Sequence, residues 1–132
     1  RMNKANKYSQ DVIALVSKER HDLNNLNPAI SIPVREFVRQ MLHLDIRQIY
    51  LFGSVVKEQY KESSDIDIAL VTHLTLDTKS RLAIEEAASS LEKRFGREIE
   101  IHYFTGEQFE LGIRKRNPLV EEILRDGIRL LG

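Results

Sequence analysis

The sequence contains no cysteine. That excludes disulfides, thiolate nucleophiles and zinc sites of the Cys₂His₂ type. It also lacks a surplus of either charge, because 20 basic and 20 acidic residues cancel. A protein that grips nucleic acid regardless of sequence draws most of its affinity from phosphates and carries a basic excess, so general nucleic-acid binding is not expected. No apolar run approaches the roughly 20 residues that cross a bilayer, so no membrane segment is expected. The first ten residues, RMNKANKYSQ, have no apolar centre of the kind a secretory signal needs. Arg1 ahead of Met2 reads as a residue left by expression, with Met2 the natural start, and the expected location is cytoplasmic.

What is present fits one folded domain. A chain of 132 residues with 42% apolar content can bury a core. Residues 1–30 read as a polar tail and a helical extension, with Val12, Ile13 and Val16 at helical spacing over 9–22, and residues 31–132 as the main domain. Residues 24–28 carry a loop signal, and a helix is expected over 33–44, opened by Pro33 and striped by Val34, Phe37, Val38, Met41 and Leu42. A strand follows over 46–52, then the Gly53-Ser54 turn and room for one helical turn over 54–59. A second strand is expected over 65–72, a helix capped by Asp77 to Phe95 with Gly96 as its stop, and a third strand over 98–104. Helices over 107–115 and from Pro118 through Leu124, then a short strand over 128–131, complete the chain. The pattern is α/β (α+β): a mixed sheet of about three to four strands flanked by helices.

The stretch 51–70 carries the chemistry. Asp65 and Asp67 alternate with Ile66, Ile68 and Leu70, so in a strand both carboxylates leave one face while the apolar side chains bury the other. Two acids this close repel unless a proton or cation lies between them, and a divalent, oxygen-preferring metal suits the pair. Glu98, Glu100 and His102 share a face of the third strand. If the two strands are neighbours, their acidic faces coincide and make a magnesium or manganese site, suited to in-line displacement at phosphorus. Gly53 lets backbone approach a phosphate, the Ser54 hydroxyl and the nearby N–H groups can donate to it, and Lys57 adds a positive charge.

Gly53-Ser54, a ten-residue spacer and Asp65-Ile66-Asp67, flanked by apolar strands, resemble the signature of the DNA polymerase β-like nucleotidyltransferase superfamily, and the short length resembles its minimal nucleotidyltransferase (MNT) branch. The resemblance covers about residues 33–131. It implies a nucleotidyltransferase fold over 31–132, Mg²⁺ (or Mn²⁺) dependence, and ATP or another nucleoside triphosphate as donor. Carried over residue by residue, Gly53, Ser54 and Lys57 bind the nucleotide, Asp65 and Asp67 hold metal, and Glu100 matches the third acid, which orients or deprotonates the acceptor hydroxyl. It further implies transfer of AMP to an acceptor on a HEPN-type protein partner, with this chain as the antitoxin of a toxin–antitoxin pair. The surfaces expected to dock that partner are the helix over 9–22 and the stripe Leu119–Leu124. A homo-oligomer is compatible with the residues, which do not fix the oligomeric state.

Two positions depart from the pattern. The third acid is Glu100, one methylene longer than the usual aspartate, and Glu58 stands where minimal members often have glycine. Both favour the alternative, a nucleotide-binding or regulatory module that neutralises a partner by binding without turnover. Arg97 and His102 fit an Arg-x₄-His spacing that resembles the RNase motif of the HEPN family, but that motif belongs on a helix, and here the spacing is read as chance. His102 is read as a partly exposed strand histidine with access to the site, and His21, His43 and His73 are scattered.

Overall fold

The computed structural model describes Leu23, residues 26–57 and residues 65–132. The expected helix over 9–22 and Glu58 lie outside the described residues. In chain order the elements are α1 (Pro28–Met41), β1 (Ile46–Phe52), a 3₁₀ turn (Ser54–Val56), β2 (Ile66–Thr72), α2 (Thr78–Phe95), β3 (Ile99–Thr105), α3 (Gly106–Arg114), α4 (Pro118–Asp126) and β4 (Ile128–Leu131). The four strands form one sheet in the order β3-β2-β1-β4. β1 runs antiparallel to both β2 and β4, and β2 runs parallel to β3 through the α2 crossover, so the sheet is mixed.

The helix ends follow from local chemistry. The Asp77 carboxylate accepts the Ser80 N–H at 2.7 Å and starts α2. Gly96 ends it at φ +70°, in the left-handed region where a Cβ is unfavourable. Thr105 and Gln108 form a reciprocal capping box at the start of α3. The Asn117 side chain caps α4 by accepting the Leu119 and Val120 N–H groups, with Pro118 in the first turn.

α1 differs from the sequence expectation. It begins at Pro28, not Pro33, because Asn27 caps it by accepting the Ala29 N–H at 2.8 Å. Pro33 therefore lies inside the helix, where its missing N–H removes one helical bond. Its ring is buried, and removing that apolar surface from water offsets the loss. The helix stops at Met41, and Leu42, expected on the apolar stripe, is 61% exposed while Ile30 is fully buried. β2 begins at Ile66, so Asp65 precedes the strand.

Two apolar clusters cover the two faces of the sheet. On one, Ile30, Val34, Phe37 and Met41 of α1 and Ile84, Ala88 and Leu91 of α2 pack on Ile49, Leu51, Ile66, Ile68 and Leu70. On the other, Phe109 of α3 and Val120 and Ile123 of α4 pack on Tyr50, Phe52, Ala69 and Val71. Within the stripe expected to dock a partner, Val120 and Ile123 are thus core, while Leu124 is 46% exposed. No described helix is long and apolar enough to cross a membrane.

Candidate active site

Strand register assembles the site. Phe52 at the end of β1 faces Asp67 across the antiparallel pair, and the parallel pair sets Glu100 beside Asp67 and His102 beside Ala69. The start of β3 is held in this register by two bonds: the Ile66 N–H donates to the Glu98 carbonyl at 2.8 Å, and the Ile99 N–H donates to the Glu92 carboxylate at 2.8 Å. Because side chains alternate, Asp67, Glu100 and His102 emerge on the face that carries Ala69 and Phe52. Donor atoms of Asp67, Glu100 and His102 lie within 4.8 Å of one another.

The three differ in environment. Asp67 and His102 are partly buried and Glu100 is exposed. His102 Nε2 stands 3.5 Å from Asp67 Oδ1, is shielded from solvent, and has no hydrogen-bond partner among the described residues. The His102 ring meets Phe52 edge-on, with centroids 5.1 Å apart. Burial pushes the Asp67 carboxyl above its ordinary value; the His102 imidazole pulls it down, and the neighbouring Glu100 charge raises it further.

Gly53 closes the site from β1. Its φ is +87°, a conformation that favours glycine, and a Cβ there would meet the Asp67 carboxylate. The 3₁₀ turn that follows makes its first bond from the Val56 N–H to the Gly53 carbonyl, which leaves the N–H groups of Ser54 and Val55 outside that ladder. Lys57, at the end of the turn, donates to Glu122 of α4 at 3.1 Å.

Among the residues singled out from sequence, the fold therefore brings together Asp67, Glu100 and the Gly53 turn. Asp65 is exposed, one residue before β2, and is not among the three whose donor atoms converge. Lys57 is held toward Glu122. His102, which the sequence leaves as a strand histidine with access to the site, converges with the acids, and the signal for this is its position two residues after Glu100 on the same strand face. Two carboxylates beside a shielded imidazole nitrogen that makes no hydrogen bond among the described residues fit a divalent cation, which would relieve the carboxylate repulsion and partner the nitrogen.

A mixed four-stranded sheet with a Gly-Ser turn packed on a strand aspartate defines a nucleotidyltransferase-type domain. The family model for polymerase β, nucleotidyltransferase, matches residues 36–131, and the chain belongs to that family. Among solved structures, the fold is similar to a toxin–antitoxin complex with AMP-PNP (TM-score 0.51, 24% identity, 76% of this chain and 71% of that one). It is also similar to a mutant MntA–HpeT toxin–antitoxin complex (TM-score 0.50, 22% identity, 75% and 70%). A looser likeness is to the tri-AMPylated Shewanella oneidensis HEPN toxin with its MNT antitoxin (TM-score 0.44, 21% identity, 86% and 72%). No curated protein matches the chain significantly.

Proposed function

We propose that this chain is a metal-dependent nucleotidyltransferase of the minimal type, moving AMP from ATP to an acceptor hydroxyl with pyrophosphate leaving. The observation that carries the reading is the Gly53 backbone packed against the Asp67 carboxylate with Glu100 alongside. That arrangement supports the reading, because a glycine turn able to bind phosphate and two carboxylates able to bind a cation would then meet at one point.

Asp67 and Glu100, with Asp65 approaching from the loop side, would hold Mg²⁺ or Mn²⁺. When bound, such an ion neutralises phosphate charge and polarises the phosphoryl group. The Ser54 hydroxyl and the N–H groups of Ser54 and Val55 donate to triphosphate oxygens, and Lys57 turns from Glu122 to the same anion. Glu100 accepts the acceptor's proton as its oxygen attacks the α-phosphorus, the bond to the bridging oxygen breaks, and pyrophosphate departs. Such catalysis is mostly positioning and electrostatics, which suits a site built on strand register.

The acceptor we propose is a hydroxyl of a HEPN-type partner, which makes this chain an antitoxin. The family resemblance supports it, as does the fold shared with chains of toxin–antitoxin complexes. The test is incubation with labelled ATP and Mg²⁺ or Mn²⁺, with and without a candidate partner. Label should pass to the partner and be lost with Asp65→Asn and Asp67→Asn. ATP binding with no transfer to any acceptor would instead establish the second reading, a module that neutralises its partner by binding. The Lys57–Glu122 ion pair, which engages the cation meant for the triphosphate, is the observation favouring that reading.

A further inference from the structure

We propose that His102 is itself a metal ligand, through Nε2, and that it makes this centre prefer a first-row transition dication to Mg²⁺. The inference rests on the reading of the pocket as a cation site but assigns a residue and a selectivity that reading does not contain. Three observations carry it. The donor atoms of His102, Asp67 and Glu100 already lie within 4.8 Å of one another, the spread that one ion's coordination sphere spans. Nε2 is shielded from solvent and makes no hydrogen bond among the described residues, although Asp67 Oδ1 is only 3.5 Å away. Buried polar atoms are nearly always hydrogen-bonded, so a shielded nitrogen without a hydrogen bond among the described residues, beside two carboxylates, points to a cation as its partner. Finally, Phe52 packs edge-on against the ring, and the parallel register fixes the backbone of His102 beside Ala69, so the nitrogen is aimed by packing.

A simple Asp–His ion pair is the competing account: Nε2 faces Asp67 Oδ1 at 3.5 Å, close enough for an ion pair with a protonated imidazole but outside hydrogen-bond geometry, and nitrogen coupling to a bound ion separates the two accounts. The selectivity follows from ligand chemistry. Mg²⁺ takes oxygen ligands and keeps its waters, whereas imidazole nitrogen suits transition metals, and exchanging one oxygen for nitrogen tilts a site toward them. The neutral imidazole offers Nε2 as a lone pair when the proton sits on Nδ1.

The experiment uses untagged protein and Mn²⁺ alone, without nucleotide. Binding is followed by the paramagnetic resonance of free Mn²⁺, Mg²⁺ by competition, and coordination by the ¹⁴N coupling to bound Mn²⁺. Wild type should show nitrogen coupling. His102→Ala and His102→Gln should lose it and weaken Mn²⁺ binding, and should weaken Zn²⁺ binding, measured by competition, by about tenfold or more, with Mg²⁺ competition changed by less than about threefold. His73→Ala should keep the coupling. Absence of Mn²⁺ binding or of nitrogen coupling in wild type overturns the proposal and needs no variant to fold; so does coupling that survives in the His102 variants. Oxygen-only Mn²⁺ binding with label transfer intact removes His102 from the centre and leaves the transferase reading standing. Nitrogen coupling without transfer to any acceptor upholds the ligand and overturns the transferase.

Discussion

Ile66, Ile68 and Leu70 leave β2 on one face and are fully buried beneath α1 and α2. Asp67, Ala69 and Val71 leave the same strand on the other face, where Ala69 and Val71 pack with α3 and α4 while Asp67 stays partly open beside Glu100 and His102. One seven-residue strand thus anchors the core and carries the site, separated only by side-chain parity. A site built this way is as rigid as the sheet and needs no mobile loop to position Asp67. It also means that stability and activity should come apart by face.

The largest expected effects test that separation directly. Asp67→Asn should lower nucleotidyl transfer by about 10²–10³-fold or more, since it removes charge where the phosphates must be stabilised. Its effect on thermal stability should be small or favourable, because it deletes a carboxylate that burial and Glu100 disfavour. Phe37→Ala, on the opposite face, should cost about 3–5 kcal/mol of stability by leaving a cavity beneath a fully buried ring. Any protein that remains folded should transfer label at close to the wild-type rate. Urea unfolding and a label-transfer assay on both variants measure this; loss of activity in proportion to loss of stability in each would show the faces are not independent.

How much of this was legible in the sequence depends on whether a signal was local. Asp77, Gly96 and Asn117-Pro118 mark helix ends by short-range hydrogen bonds, and the structure agrees with each. Asn27-Pro28 is the same signal as Asn117-Pro118, yet it reads as loop when Pro33 competes as a helix start; burial of Ile30 and Pro33 decides for the earlier one. Period-two alternation correctly put Glu100 and His102 on one face, and the parallel register completed the acidic pair. Other features come from tertiary contact alone. The approach of Gly53 to Asp67 and the Lys57–Glu122 pair, 65 residues apart, have no sequence signature. Nor does the shielding of His102 Nε2, which depends on what packs around the ring.

Gly53 is where the core-bearing strand β1 meets the site, so it sharpens the comparison next. Gly53→Ala should cost about 1–3 kcal/mol from its positive φ, plus displacement of the Asp67 carboxylate. If the carboxylate clash contributes, Gly53→Ala combined with Asp67→Ala should be less destabilising than the sum of the two single changes. Strict additivity in denaturant unfolding would show that backbone strain alone sets the requirement. A smaller effect is expected at Lys57. Lys57→Ala should change stability by about 1 kcal/mol or less, because its ion pair with Glu122 is partly exposed. It should raise KM for the triphosphate more than it lowers kcat, and Glu122→Gln should lower KM by releasing the lysine.

The smallest expected effect contrasts two aspartates of opposite character. Asp77 has its carboxyl held below the ordinary value by the Ser80 N–H it caps, with a further lowering by the Ser80 side chain. A lowered folded pKa gives stability that is present above the ordinary carboxylate value and is lost as pH falls through the lowered one. Asp67 has its carboxyl raised, chiefly by burial. Its contribution is present below the ordinary value and is lost as pH rises through the raised one. Over about pH 3 to 6, where aspartates titrate, the two therefore tilt the unfolding midpoint in opposite directions. Asp77→Ala should flatten the acid limb of the midpoint–pH curve, and Asp67→Asn should remove the decline on the rising limb. Mn²⁺ added at about pH 6 should offset that decline in wild type and leave Asp67→Asn nearly unmoved, because the ion replaces the proton between carboxylates that the variant no longer has. Equal Mn²⁺ stabilisation of both proteins would place the cation elsewhere and detach the pH response from the site.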